Sequence, residues 1–125
     1  MHKVEITLAF PPSVNHIWLR SKTGGVFLSR EAKLFRADTA SRVCLARSQG
    51  ILPRTPIEGN VNLLVALRPP DRRVRDLDNY NKALWDALTH ARVWIDDQQV
   101  KDAKQSWLEY AGRKEACTQL TLIWE

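Results

Sequence analysis

Asp76 and Asp78 stand two residues apart, and a second acidic pair, Asp96-Asp97, follows about twenty residues later. On an extended approach to a helix, alternate side chains share a side, so the carboxylates of Asp76 and Asp78 can converge. Three or four carboxylates at the ends of neighbouring elements supply the hard oxygen ligands that suit Mg²⁺ or Mn²⁺. Zinc is a poor match, because His2, His16 and His90 lie far apart and show no ligand spacing. Crowded acids repel one another, so something positive must sit among them. Two sources are at hand: a divalent cation, or the arginines immediately upstream (Arg68, Arg72, Arg73 and Arg75). Carboxylates beside a dense basic flank suit a phosphodiester, with the metal on the reacting phosphate and the arginines on its neighbours. The purely structural alternative makes Asp78 a helix cap, pairs Asp76 with an arginine and leaves Asp96-Asp97 as a solvated turn.

Lys82 lies four residues after Asp78 and four before Asp86. That spacing fits an exposed ion-pair ladder, and it equally fits an ammonium held beside a metal site to neutralise charge developing on a phosphate. Of the five tryptophans, Trp94 and Trp124 read as packing residues. Trp18 and Trp85 are placed either to stack on an unpaired base or to pack in a core or subunit interface.

The elements that carry these residues are marked by period and punctuation. Residues 3–10 alternate, with Val4, Ile6, Leu8 and Phe10 on one side, until Pro11-Pro12 ends the strand. Val26-Phe27-Leu28 fits a short strand. Ser29 stands where an N-cap should be, and Arg30 to Ser48 predicts a helix with Leu34, Ala37, Ala40 or Ser41, and Cys44 or Leu45 at helical spacing. Gly50 stops it. Asn60 to Arg68 reads as a strand buried on both faces, since Leu64 and Ala66 add apolar character opposite Val61, Leu63, Val65 and Leu67. A second helix is predicted from about Asp78 to Ala91, with Tyr80, Ala83, Leu84, Ala87, Leu88 and Ala91 on one face. Ala103–Tyr110 and Cys117–Trp124 read as the strands of a terminal hairpin around Gly112-Arg113-Lys114. The fold class is therefore α+β: a single domain over residues 1–125, a mixed β-sheet with two main helices packed on it and a C-terminal β-hairpin.

Length and charge agree with that reading. A chain of 125 residues, 44% hydrophobic, suits one core of ordinary size, and no window approaches the ~20 apolar residues of a membrane span. The charged N-terminus does not read as a secretory signal, and two cysteines read as thiols of a reduced, cytoplasmic chain. A formal net charge of +5 favours an anionic partner such as nucleic acid.

Pro11-Pro12-Ser13-x-Asn15, the arginine run into Asp76-Leu77-Asp78-Asn79, Lys82-Ala83, Asp86-Ala87-Leu88 and Trp94-Ile95-Asp96-Asp97-x-Gln99-Val100 together resemble the RusA family of Holliday junction resolvases, small endodeoxyribonucleases of bacteria and their prophages. The resemblance covers nearly the whole chain and is most specific from Pro70 to Val100. It implies that Asp76, Asp78 and Asp97 are catalytic, metal-binding aspartates, that Lys82 is a catalytic lysine, and that Arg72, Arg73 and Arg75 contact DNA. It further implies a Mg²⁺-dependent homodimer, with Mn²⁺ able to substitute, that makes paired symmetric nicks in a four-way DNA junction in a bacterial or phage-infected cell. Asp96 is adjacent and its role as a ligand stays open, and Val74 departs from the family by interrupting the arginine run. Two other readings share these residues: a Mg²⁺-dependent branched-DNA nuclease of lower selectivity, and a non-catalytic basic module whose aspartates merely balance its arginines.

Overall fold

The computed structural model describes all 125 residues, Met1–Glu125. Strand β1 (His2–Leu8) follows the apolar alternation: Val4 and Ile6 are half-buried and Leu8 fully buried, while Lys3, Glu5 and Thr7 stay exposed. After Pro11-Pro12, a 3-10 turn at Val14–His16 leads into a small antiparallel pair, β2 (Trp18–Arg20) and β3 (Val26–Leu28). Helix α1 (Arg30–Ser48) begins at Ser29, whose Oγ accepts the Ala32 amide and donates to the His16 carbonyl. Then follow β4 (Val61–Arg68), helix α2 (Asn81–His90), β5 (Val100–Trp107) and β6 (Cys117–Trp124).

The main sheet runs in the order β1-β6-β4-β5, with β6 antiparallel to both of its neighbours and β5 parallel to β4. A parallel pair needs a crossover, and α2 supplies it. The two C-terminal strands run antiparallel and are joined by residues 108–116; β4 sits between them and takes backbone hydrogen bonds from both. Both helices cover one face of this mixed sheet. Phe35 and Val43 of α1 and Leu84 and Leu88 of α2 meet Leu63, Val65, Leu67, Leu120 and Leu122 in one core. Trp94 is fully buried beneath α2, its indole N–H donating to Thr89 Oγ1 at 2.6 Å.

Four expectations are corrected. On α1 the buried stripe is Ala32, Phe35, Thr39, Val43 and Ala46; Leu34, Ala37, Cys44 and Leu45 are exposed. Both sets recur at helical spacing, and the stripe carrying Phe35 and Val43 fills the core. Strand β4 is buried on one face only, because nothing in the chain covers Asn62, Leu64 and Ala66. Helix α2 begins at Asn81, not Asp78: residues Leu77–Tyr80 form a 3-10 turn, and Tyr80 (φ −106°, ψ −4°) interrupts the helical path. Strand β5 starts at Val100 and ends at Trp107, three residues earlier at each end than its alternation suggested.

The two helices stop by the same device with different residues. In α1, the Gly50 amide reaches the Arg47 carbonyl and the Ile51 amide that of Ala46, with Gly50 left-handed at φ 76°. In α2, the Arg92 amide reaches Thr89 and the Val93 amide reaches Leu88, with Arg92 left-handed at φ 62°. A side chain in that conformation is strained where glycine is not. Arg92→Gly is therefore expected to raise stability by about 0.5–1 kcal/mol, read as a higher urea midpoint.

Candidate active site

Pro69-Pro70 ends the β4 ladder, and the loop beyond it is organised by Asp71. Arg75 Nη1 lies 2.7 Å and Arg73 Nη2 3.1 Å from its carboxylate, and the Arg73 amide donates to Oδ1 at 3.0 Å. The Arg75 guanidinium, with that of Arg73 second, holds the Asp71 carboxyl far below the usual carboxylate range, and Arg75 in turn is shifted upward by Asp71. The arginine run is thereby divided. Arg75 is turned inward, its side chain 11% exposed and its guanidinium 5.9 Å from the centre of the Phe10 ring. Arg73 stays 79% exposed, and Arg72 lies over Tyr110 at 5.2 Å. Arg72 and Arg73 thus stay open to solvent, Arg73 while also paired with Asp71, and Arg75 is drawn inward onto Asp71.

Because the Asp71 carboxyl is depressed in the folded chain, the stability it contributes is complete above its unfolded value of ~3.9 and is lost as pH falls below it. Asp71→Asn is expected to flatten the fall in urea midpoint between about pH 4 and pH 2. An unchanged acid slope would show that this cluster does not hold the loop.

With Arg73 and Arg75 engaged elsewhere, the downstream aspartates have no cation from the run. Asp76 heads the 3-10 turn in an extended conformation (φ −82°, ψ 124°) and caps nothing. Asp78 lies in the first turn of the same element and also makes no capping bond; α2 itself has no side-chain cap. Both are exposed, and neither carboxylate is in an ion pair or accepts a hydrogen bond from the chain. The structural alternative for these two residues, cap and arginine partner, is absent.

The second acidic pair divides its labour. Asp96 accepts the Gln98 amide at 2.9 Å, and Gln99 Oε1 returns to the Asp96 amide at 3.0 Å, closing a capping box. Gln99 also donates to the Ile57 and Gly59 carbonyls, which fixes the turn to the segment before β4. Asp96 therefore shapes the turn, and Asp97, the first residue inside it, is presented toward α2. Burial first, then the neighbouring Asp96, raises the Asp97 carboxyl; Lys82 opposes the rise and Asp86 adds to it. Lys82 stands between these acids, its Nζ 3.1 Å from Asp86 and its side chain 57% exposed. The structure thus brings Asp97, Asp96, Asp86 and Lys82 together on one side of α2, with Asp76 and Asp78 on the chain leading into that helix. No three acidic, histidine or cysteine side chains are gathered closely enough to form a ready-made ion cage. The donor chemistry nonetheless fits a hard divalent cation: the carboxylates of Asp76, Asp78 and Asp97 supply oxygen alone, and Asp76 and Asp78 have no partner in the chain that would compete with a cation.

The family profile described as Endodeoxyribonuclease RusA matches residues 9–116. The chain belongs to the RusA family. It is 38% identical over 102 residues to the crossover junction endodeoxyribonuclease of Enterobacteria phage 82, a match covering 82% of this chain and 80% of that protein. The proteins of that name from Escherichia coli strain K12 and Shigella sonnei match over the same span at the same identity. A RusA protein is an endodeoxyribonuclease, a hydrolase acting on DNA, of the kind that resolves Holliday junctions in recombination and depends on a divalent metal. No helix of the chain is long and apolar enough to cross a membrane.

Two contributors escaped the sequence reading. Asp71 was legible in principle, since it precedes Arg73 by two and Arg75 by four, the spacings of a turn and an ion pair. Gln99 completes an Asp-x-x-Gln capping signature, which separates the role of Asp96 from that of Asp97.

Proposed function

We propose that residues 1–125 act as one RusA nuclease domain that resolves four-way DNA junctions by paired, symmetric phosphodiester hydrolysis in the bacterial or phage-infected cytoplasm. Asp76, Asp78 and Asp97 are the residues that would hold Mg²⁺, or Mn²⁺ in its place. The observation that carries this reading is the pairing pattern: Asp71 takes Arg73 and Arg75, and Asp76 and Asp78 are left without an ion-pair partner in the chain. Bound there, the ion would supply a polarised water as nucleophile and charge neutralisation on the phosphate. Lys82 stabilises the charge that grows on the phosphate oxygens, a role for which its exposed ammonium is free to turn from Asp86. Arg72 and Arg73 hold backbone phosphates beside the site. Asp96 and Gln99 fix the turn that aims Asp97. A junction has approximate two-fold symmetry, so a homodimer presents two equivalent sites to opposite strands.

The test is cleavage of a mobile four-way junction against linear duplex, with Mg²⁺ and with EDTA. Paired nicks in the junction alone, abolished by EDTA, are expected. Equal cutting of duplex would replace this reading by a nuclease of lower selectivity, and cutting in EDTA would remove the metal from it.

A further inference from the structure

Parallel strands bring their carboxyl ends to the same edge of a sheet, and the crevice beyond them commonly takes a ligand. Strands β4 and β5 are the parallel pair of the main sheet. Past β4 the chain enters the arginine loop. Past β5 the Leu108 amide donates to the Leu67 carbonyl and Arg68 Nη1 to the Glu109 carbonyl, which ties residues 108–110 to the end of β4. Between these two segments opens a cavity of about 380 Å³, lined by the arginine loop on one side and by Trp107 and Tyr110 on the other. That is room enough for a small planar ligand, at the lower end of the ~300–1,000 Å³ usual for such sites. Phe10, stacked at 6.3 Å, and Tyr80, edge-on at 5.8 Å, pack against the Trp107 ring, which nonetheless stays 36% exposed. Tyr110 is 38% exposed and carries the Arg72 guanidinium 5.2 Å from its ring centre. Val74, the residue that interrupts the arginine run, lies fully exposed in the same wall.

Aromatic faces flanked by cations are how a protein holds an unpaired base: the rings stack on it, and the cations take the phosphates on either side. Arg75 lines the cavity and Asp76 is the next residue, one Cα step of ~3.8 Å further on. A strand held at Asp76 and Asp78 therefore passes the mouth of this cavity beside its reacting phosphate. The rim is cationic, with Arg72 and Arg73 exposed on a chain of formal charge +5. Its occupant is thus part of a polyanion, not a second copy of the same basic chain. We infer that the cavity is a base-binding slot, in which Trp107 and Tyr110 stack an unpaired nucleobase of the DNA strand being cut. In linear duplex every base is paired and stacked, so filling the slot means pulling one out. At a branch point that cost is least, because the bases there are already partly freed. The slot favours branched over linear DNA without reading sequence, since every base has a π-face. The inference rests on the proposed placing of the cut strand at Asp76 and Asp78, and gives that nuclease a source of branch selectivity.

Gel-shift titrations in EDTA, on a four-way junction and on linear duplex of equal length, test the slot apart from the chemistry. Tyr110→Ala is expected to weaken junction binding by about five- to 100-fold and duplex binding by less than about two-fold. The slope of log Kd against log salt should not change, because no phosphate contact is lost. Tyr110→Phe keeps the ring and should bind as wild type. Trp107→Ala should act like Tyr110→Ala; should it fail to fold by circular dichroism, the exposed Tyr110 still decides the matter. The DNA side is tested with junctions made abasic at one nucleotide at a time around the branch point. One position should weaken wild-type binding by the same factor as Tyr110→Ala, and should weaken the variant no further, the mark of a shared contact. No such position overturns the slot. So does an equal loss on junction and duplex with a shallower salt slope, which would make Tyr110 only a prop for Arg72. A lower sedimentation mass for Tyr110→Ala would put a second copy against these rings and overturn it too. A wild type that cuts junctions with Mg²⁺ yet fails the abasic test loses the slot and keeps the nuclease. One that passes the abasic test yet never cuts loses the nuclease and keeps the bound base.

Discussion

Asp76→Asn and Asp78→Asn are each expected to lower junction cleavage by about 10²–10⁴-fold, the range over which removal of one essential electrostatic group acts in a preorganised site. The loss should come without structural cost. Both side chains are exposed, neither caps a helix and neither is paired, so an isosteric amide removes no contact that the fold uses. Melting temperature should be unchanged within about 1–2 °C, because a surface change away from such contacts is worth within ~0.5 kcal/mol. Junction binding in EDTA should persist or tighten slightly, since a negative charge is withdrawn from beside the exposed Arg72 and Arg73. Asp97→Asn should behave alike in cleavage. Single-turnover assays with separate gel-shift binding distinguish the outcomes. Retained cutting by both Asp76→Asn and Asp78→Asn would show that these two carboxylates do not hold the ion on which cleavage depends.

The candidate residues could be named before any coordinates, but their pairing could not, and for definite causes. The spacing of Asp76, Asp78 and Lys82 is local along the chain, so a motif captures it, and Asp97 is added by the turn after α2. Which acid receives the arginines is not captured: Asp71, Asp76 and Asp78 are all within reach of Arg73 and Arg75 along the chain. The choice is made by the turn at residues 71–75 and by the Phe10 ring beneath Arg75. The same limit governs the elements. Ser29 and Gly50 bracket α1 by local chemistry, and the structure keeps both bounds. Which stripe of α1 is buried depends on what the sheet offers, and Leu34 and Leu45 are as apolar as Phe35 and Val43. Strand β4 presents the converse: Leu64 and Ala66 are apolar on a face that nothing else in the chain covers.

Lys82→Ala separates the two meanings of an i, i+4 ladder. As an exposed pair with Asp86 at 3.1 Å, Lys82 contributes only about 0.3–0.5 kcal/mol to the helix, so the variant should melt within about 2 °C of wild type. Its effect on chemistry is expected to be far larger, a fall of about 10²-fold or more in the single-turnover rate, equivalent to about 2.7 kcal/mol of lost transition-state stabilisation. Junction affinity should change little, because one cation among several phosphate contacts is lost. Lys82→Arg keeps the charge while replacing a compact ammonium by a planar fork, and should recover part of the rate. The reasoning is spatial. Asp97 and Asp86 both face Lys82, burial and its acidic neighbours already hold the Asp97 carboxyl up, and Lys82 is the cation that opposes them. An exposed ammonium beside these carboxylates is positioned for a reacting anion as much as for its neighbours. A variant that melted many degrees lower yet cut at the normal rate would make Lys82 a strut of α2 and nothing more.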